Sequence, residues 1–334
     1  MYKNALVVGK FYPFHSGHKY LIDTAIENSE KVHVIACYTN KKSIDGIKRF
    51  ESIRYEYSKN PNVKVYPLDT SDLPQYDTDC RTKDEFYDIW CYQVWELIKD
   101  LDVVFTSAEY GEEFADYLGT DHYMVDLQRK KYPTSGTKQR DKSDYTLLPN
   151  SSKNLTTKKY CFVGPESSGK STISKMVADE LGLPWVEEYG RRYIDEIELT
   201  KKTRQGDFSL MDISKIAAGQ ILLEEEIIKK SQGKIICDTD LITTMIWSEI
   251  YFDECPRWIV DESYRRDYIY FLMDIDFEWI DDGTREFPEK REWHFDRIKA
   301  ELQKRNLEFY IVSGDINSRF NYCKDIILKN LEIV

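Results

Sequence analysis

No stretch of the 334-residue chain approaches the roughly 18 consecutive apolar residues of a membrane-crossing helix, so no membrane partner is expected. The N-terminus, MYKNALVVGK, lacks the long apolar run and small-residue cleavage site of a secretory leader, which makes a cytoplasmic location the expectation. Cysteine is present but unorganised. Cys37, Cys80, Cys91, Cys161, Cys237, Cys255 and Cys323 are odd in number, with no CxxC pair and no histidine at zinc-ligand spacing, and they read as reduced core thiols. Excess positive charge is missing too: a formal net charge of -12 argues against a nucleic-acid partner, because duplex binding needs clustered cations to displace counterions. Small anionic ligands stay open, since a local site can be basic in an acidic protein. There is no internal repeat, and no low-complexity tract beyond one short polar stretch.

What is present suits a globular protein with a sizeable core: 41% hydrophobic and 32% charged residues, in a length that favours two domains. In the first half, β-rich runs at Ala5 to Val8, Val32 to Tyr38, Val63 to Leu68, Val103 to Thr106 and His122 to Asp126 alternate with amphipathic stretches at His18 to Asn28 and Asp84 to Asp100. The second half repeats the pattern, with strands expected at Tyr160 to Val163, Ile235 to Cys237, Tyr268 to Met273 and Phe309 to Val312 and helices at Lys170 to Leu181 and Met211 to Lys230. Such alternation predicts an α/β protein with two doubly wound parallel-sheet domains. Leu147 to Lys159, LLPNSSKNLTTKK, is polar and aperiodic and is predicted to be the linker, giving domains over 1–150 and 158–334.

The second domain opens on GPESSGKST. Gly164, Ser167, Ser168, Gly169, Lys170, Ser171 and Thr172 belong to a GxxxxGK[ST] pattern placed between a strand and a helix, the context that a phosphate-binding loop requires. Its backbone N–H groups can wrap phosphates, Lys170 can reach the outer ones, and the Ser171 hydroxyl can ligate Mg²⁺. Asp238 ends an apolar strand, where an acidic residue contacts Mg²⁺ or its water; capping the helix that begins near Leu241 is the alternative, with Asp240 close by. Glu187 to Arg192, EEYGRR, offers Glu188 to orient a substrate hydroxyl and arginines for phosphate charge, although a solvated charge run reads the same way. Asp281 to Arg285, DDGTR, resembles a loop delivering Arg285 over a transferring phosphate, and is also an ordinary Asp-Gly turn.

The first domain carries GKFYPFHSGH, Gly9 to His18, with His15 and His18 at a strand-to-helix turn where an anion would meet helix N–H groups. Two such imidazoles can bond the phosphates of ATP and stabilise transition-state charge without a covalent intermediate. Further on, Pro133 to Arg140, PTSGTKQR, sets Ser135, Thr137 and Arg140 at a helix start, which suits outer phosphates or a simple cap. His33, His122 and His294 receive no role. Trp90, Trp95, Tyr110 and Trp185 could stack on an aromatic ring of a ligand, and core packing is the ordinary job of each.

Taken together and in order, GKFYPFHSGH, TSAEYGEEFA, SGTKQR, GPESSGKST, EEYGRRY, CDTDLITT and DDGTR resemble the NadR-type bifunctional proteins of NAD biosynthesis along nearly the whole chain. The resemblance implies a Rossmann-like nucleotidyltransferase followed by a P-loop kinase. The first would transfer AMP from ATP to nicotinamide mononucleotide (NMN), giving NAD and pyrophosphate; the second would phosphorylate nicotinamide riboside with ATP. By the same resemblance, His15 and His18 would activate the ATP phosphates, with Gly9, Lys10 and Phe11 beside them. Ser135, Thr137 and Arg140 would hold the outer phosphates. Lys170 and Ser171 would hold ATP and Mg²⁺, Glu188 or Asp238 would position the ribose 5′-hydroxyl, and Arg285 would be a lid cation. The chain departs from the family at Thr134 and Gln139, where isoleucines are usual, and at Ala108, where an acidic residue is common. Met1 lies just before the first strand, so the helix-turn-helix domain of some family members, and a repressor role, are not expected. A fusion acting on another small metabolite, a nucleotide sensor with an inactive first domain, and a homo-oligomer all stay open.

Overall fold

The structure is a computed structural model and describes residues 1–39, 45–74, 82–141, 144–201, 208–276, 278–279 and 288–332. The chain divides into two compact units, Met1–Thr156 and Thr157–Val334.

The first unit runs β1 (Tyr2–Gly9), α1 (Ser16–Asn28), β2 (Ser29–Tyr38), α2 (Gly46–Glu56), β3 (Val63–Asp69), α3 (Lys83–Leu97), β4 (Val103–Thr106), α4 (Gly111–Leu118), β5 (Asp121–Met124) and α5 (Gly136–Asp141). Its sheet has the order β3-β2-β1-β4-β5, every pair parallel. β1 lies at the centre, and successive side chains of a strand point to opposite faces. Ala5 and Val7 therefore join a core with Leu21, Ile22 and Ala25 of α1 and Ile53 of α2. Leu6 joins the opposite core, with Tyr87, Cys91 and Val94 of α3 and Phe114 and Leu118 of α4. Burial on both faces is why Ala5 to Val8 of β1 reads as an unbroken apolar run.

Part of the stretch expected as a linker is ordered differently. Asn150–Thr156 forms a helix, α6, preceded by a 3₁₀ turn at Tyr145–Leu147. Its anchor is polar: Ser52 Oγ on α2 donates to the Ser151 carbonyl (2.8 Å) and lies 3.0 Å from the hydroxyl of fully buried Ser152. A helix held through serines leaves no apolar periodicity to read.

The second unit comprises β6 (Lys158–Val163), α7 (Lys170–Leu181), β7 (Trp185–Val186), α8 (Tyr189–Lys201), α9 (Leu210–Lys230), β8 (Lys234–Asp238), α10 (Leu241–Phe252), α11 (Arg257–Tyr264), β9 (Ile269–Met273), α12 (Arg291–Lys304), β10 (Phe309–Val312) and α13 (Ile316–Glu332). Its parallel sheet has the order β10-β9-β6-β8-β7. In both units the earliest strand is the central one, and later strands add on either side of it. Strand order reverses there, so a crevice opens beyond its carboxyl end. Among the described residues no helix is long and apolar enough to cross a membrane, and the six described cysteines are free thiols, five of them buried.

A buried ionic cluster ties β6 to the neighbouring helices. Glu224 of α9, 2% exposed, accepts from Lys159 Nζ (3.0 Å), Arg266 Nη1 (3.0 Å) and the Tyr268 hydroxyl (2.6 Å). Burial alone would raise its pKa, but the two cations and the hydroxyl override that and hold it below the usual glutamate value. Replacing Glu224 with alanine strands two buried cations, and the second unit is expected to lose about 3–5 kcal/mol. Scanning calorimetry would register this as a lower melting transition for that unit; an unshifted transition would show that the cluster contributes nothing net.

Candidate functional site

The turn from β1 into α1 is closed by two histidines that cap each other. His15, the N-cap of α1, accepts the His18 amide through Nδ1 (3.3 Å), while His18 Nδ1 accepts the His15 amide (3.4 Å). The rings stack with centroids 3.6 Å apart. Burial first, and then the charge of Arg129, push the His15 pKa down to about 4; burial, His15 and Arg129 hold that of His18 well below its ordinary value. Both rings are therefore neutral near pH 7. With each Nδ1 used as an acceptor, the single proton of each ring sits on Nε2. The result is a pair of neutral N–H donors, and His15 Nε2 is buried without a partner among the described residues. An unpaired buried donor is costly, and an anionic oxygen would relieve that cost.

Next to this turn lies a cavity of about 1140 Å³ lined by Gly9, Lys10, Phe11, His18, Arg49 and Trp90, among others. Phe11, with φ 43, lays its ring against Gly9 and meets the His18 ring edge-on at 5.1 Å, so it shapes the turn by packing. Arg49 was not anticipated from the sequence. It lies on α2 at 2% exposure, donates through Nη1 to the Lys10 carbonyl, and leaves Nε and Nη2 buried without partners among the described residues. A signal existed: Gly46, Arg49 and Ile53 share the buried face of α2 at helical spacing, an odd place for a charge unless an anion meets it. Arg129 was missed as well. It has a left-handed φ of 52°, its amide donates to the Asp126 carbonyl (2.8 Å), and it too lines the cavity.

Ser135, Thr137 and Arg140 do not line this cavity; they approach it through Tyr12. Arg140 donates to the Tyr12 carbonyl (2.5 Å) and to Thr137 Oγ1 (3.1 Å), and its guanidinium lies 4.3 Å from the centre of the Tyr12 ring, with that of Arg49 at 5.0 Å. Ser135 Oγ accepts the Lys138 amide (3.2 Å). The departures at Thr134 and Gln139 compensate each other. Both are buried, and Gln139 Nε2 donates to Thr134 Oγ1 (2.9 Å), so a hydrogen bond replaces an apolar contact. Ala108, Trp90 and Tyr110 line the cavity, whereas Trp95 is exposed and Trp185 donates to Ser174 Oγ (3.0 Å). His122 Nε2 is paired with Thr106 Oγ1 (2.8 Å) and His33 Nδ1 with the Tyr66 hydroxyl (3.1 Å).

In the second unit, the residues between β6 and α7 form the expected loop. Gly169, the N-cap of α7, has φ 80, a conformation that glycine adopts without the steric cost a Cβ would bring. Ser168, 1% exposed, donates to the Pro165 carbonyl (2.7 Å) across the turn. Lys170 faces Glu188 at 3.9 Å. Glu188 is positioned by Gln220 of α9, which accepts the Tyr189 amide (2.8 Å) and donates to the Glu187 carbonyl (3.2 Å). Arg192 pairs with Glu196 and Glu187 at the surface, the solvated reading of that charge run.

Of the two aspartates, Asp240 takes the capping role, at the start of α10, accepting the Thr243 amide (3.1 Å) and the Tyr270 hydroxyl (2.8 Å). Asp238 is 2% exposed and its Oδ1 has no partner among the described residues. Burial, then Glu188, push its pKa up to about 6 against the opposing pull of Lys170 and the Ser171 hydroxyl. An unpaired buried carboxylate oxygen beside a hydroxyl is a donor set that suits a hard cation. His294 is buried edge-on to Trp247 at 4.8 Å. Arg285 and the rest of its loop lie outside the described residues.

Residues 159–319 match the model of an AAA domain, and residues 4–72 match that of the citrate lyase ligase C-terminal domain. The chain is 26% identical to the trifunctional NAD biosynthesis/regulator protein NadR of Escherichia coli K12, over 96% of this chain and 82% of that protein. The corresponding protein of Salmonella typhimurium is 24% identical with the same coverage. Among solved structures, NadR in complex with NAD and AMP-PNP superposes with a TM-score of 0.65 at 19% identity, covering 98% of this chain and 96% of that one. NadR in complex with NR gives a TM-score of 0.64 with the same identity and coverage. These likenesses establish the two-sheet fold.

The mutual cap makes a spectroscopic prediction. Long-range ¹⁵N NMR at pH 7 is expected to show His15 and His18 neutral and protonated on Nε2; an Nδ1–H tautomer for either ring would refute the cap. Because the folded pKa of His15 is depressed to about 4, the unfolded chain binds a proton below about pH 6.5 that the folded chain does not. Stability of the first unit is thus full above that pH and expected to fall by about 3 kcal/mol on this account as the pH drops towards 4.

Proposed function

We propose that this chain, a homologue of the NadR proteins along nearly its whole length, makes NAD from nicotinamide riboside in two ATP-dependent steps, one in each unit. It is a bifunctional enzyme of NAD biosynthesis. The observation carrying the finer assignment is that, among the described residues, each unit leaves buried polar atoms unpaired next to the carboxyl end of its central strand: His15 Nε2 and two Arg49 nitrogens in the first, Asp238 Oδ1 in the second. Donors without acceptors suit phosphates, and an acceptor without a donor suits a cation that accompanies them.

In the first unit, the phosphate of NMN attacks the α-phosphorus of ATP, the bond to the β-phosphate breaks, and pyrophosphate leaves. The nucleophile is already an anion, so no base is needed. Alignment and charge stabilisation dominate, through the Nε2–H groups of His15 and His18, Lys10 and Arg129. Arg49 takes the phosphate of the mononucleotide. Trp90 and Tyr110 offer faces to the pyridine ring, and Ser135, Thr137 and Arg140 hold the outer phosphates from behind Tyr12.

In the second unit, the 5′-hydroxyl of the riboside attacks the γ-phosphorus of ATP and ADP leaves. The loop amides of 164–172 and Lys170 hold the phosphates. Ser171 and Asp238 are the residues that would hold Mg²⁺, which when bound neutralises phosphate charge. That leaves Glu188, facing Lys170, to orient the hydroxyl and take its proton. Arg285 is the proposed lid cation.

The two sites are separable by substitution. Lys170→Ala is expected to cut riboside phosphorylation about 10²–10³-fold while NAD formation from NMN persists, and His18→Ala is expected to do the reverse. Mass spectrometry of a reaction holding nicotinamide riboside, ATP and Mg²⁺ reads both steps through the NMN and NAD that appear. Loss of both activities from either folded variant would show that the two-site assignment is wrong.

A further inference from the structure

Arg319, in the first turn of α13, is fully buried and is the largest such side chain among the described residues. Its guanidinium reaches three carbonyls on three separate segments. Nε donates to Gly314 (2.7 Å), Nη1 to Ser168 (2.9 Å) and Nη2 to Asp274 (3.2 Å). Asp276 pairs with the same guanidinium, and its Oδ2 accepts the Gly314 amide (2.6 Å). Burying a cation is expensive, and here the partly exposed carboxylate of Asp276 and the negative charge of Asp274 offset it. What the arginine supplies is a rigid planar fork that donates in several directions at once, which neither lysine nor an apolar side chain can copy.

One of those carbonyls belongs to the phosphate loop. A trans peptide is planar, with its N–H opposed to its C=O, so holding the Ser168 carbonyl turns the Gly169 amide away from Arg319. The preceding peptide is treated the same way: Arg291 Nη2 donates to the Ser167 carbonyl at 3.4 Å, directing the Ser168 amide. Both peptides sit where the backbone is least able to hold itself, since Ser167 and Gly169 have φ of 56° and 80°. The other two carbonyls, Asp274 and Gly314, follow the ends of β9 and β10, so the loop is clamped to the sheet edge that carries them.

We propose that Arg319 is a positioning residue for nucleoside triphosphate: by fixing the Ser168 carbonyl it aims the Gly169 amide into the loop, without touching the ligand itself. The inference rests on the reading of this loop as the ATP site of the second unit. It predicts that ATP affinity, more than fold or acceptor binding, depends on the shape of this guanidinium.

ATP·Mg²⁺ titrated calorimetrically into the full chain tests it, with Lys170→Ala identifying the binding component that belongs to this loop. Arg319→Lys keeps the charge and loses the fork, and is expected to weaken that component by about 10-fold or more, as for loss of charge-assisted hydrogen bonds. In steady-state phosphorylation, KM for ATP should rise likewise, with KM for nicotinamide riboside changing less than about 2-fold. Asp276→Asn, on the more exposed side, tests the same clamp should the first variant fold poorly; it is expected to weaken ATP binding about 2- to 5-fold with an unchanged melting temperature. ATP affinity unaltered in a folded variant, or lost in step with acceptor affinity, would overturn the proposal. If the wild-type chain binds ATP through Lys170 yet phosphorylates no riboside, the acceptor assignment fails, and calorimetry alone still decides the role of Arg319.

Discussion

A chain of phosphates can be held only where a protein leaves hydrogen-bonding groups unpaired in a place that water does not flood, and every such group destabilises the fold until the ligand arrives. Both units meet this constraint at one topological position. A parallel sheet whose first strand is central must send its later connections to opposite sides, and the carboxyl end of that strand is left uncovered. β1 delivers Gly9 to His18 to that place, and β6 delivers Gly164 to Thr172. The adjacent helix N-termini then supply amides and a favourable dipole.

The two units fill that position with opposite electrostatics. In the first, burial and Arg129 keep two stacked imidazoles neutral, and the full cations are Lys10, Arg49 and Arg129 along the cavity wall and Arg140 beside Tyr12. In the second, Lys170 faces Glu188, and burial first, then the charge of Glu188, raises the pKa of Asp238. A site built from neutral donors and cations suits a reaction whose nucleophile is already an anion. A site with two carboxylates beside one lysine suits a reaction that must hold a cation and remove a proton. The difference in proposed chemistry is thus a difference in which charges each crevice has been able to bury.

The parts of this arrangement that are local in sequence were legible there. Strand-loop-helix order and the glycine pattern depend on neighbours within a turn or two, and the strands and helices around them follow apolar periods of two and 3.6 residues. What escaped depends on contacts across the fold. Arg49 reaches the Lys10 carbonyl from α2, Gln220 positions Glu188 from α9, and α6 is held by serines. None of these has a spacing signature, because a side chain bonding a distant backbone carbonyl imposes no period on its own segment. Thr134 and Gln139 show the converse: as separate letters they break a pattern, and only as a hydrogen-bonded pair do they preserve it.

Chemistry also orders the two proposed steps. A riboside hydroxyl is a weak nucleophile that needs a base, and once phosphorylated it carries an anion that attacks ATP without one. On the proposed assignment the expensive deprotonation falls to the unit with Glu188 and Asp238, while the unit with His15, His18 and Arg49 has only to align two polyanions and absorb their mutual repulsion. Aligning polyanions requires donors that stay donors at any pH where the protein is folded, and a buried imidazole locked as Nε2–H meets that requirement because it changes neither tautomer nor charge near neutrality.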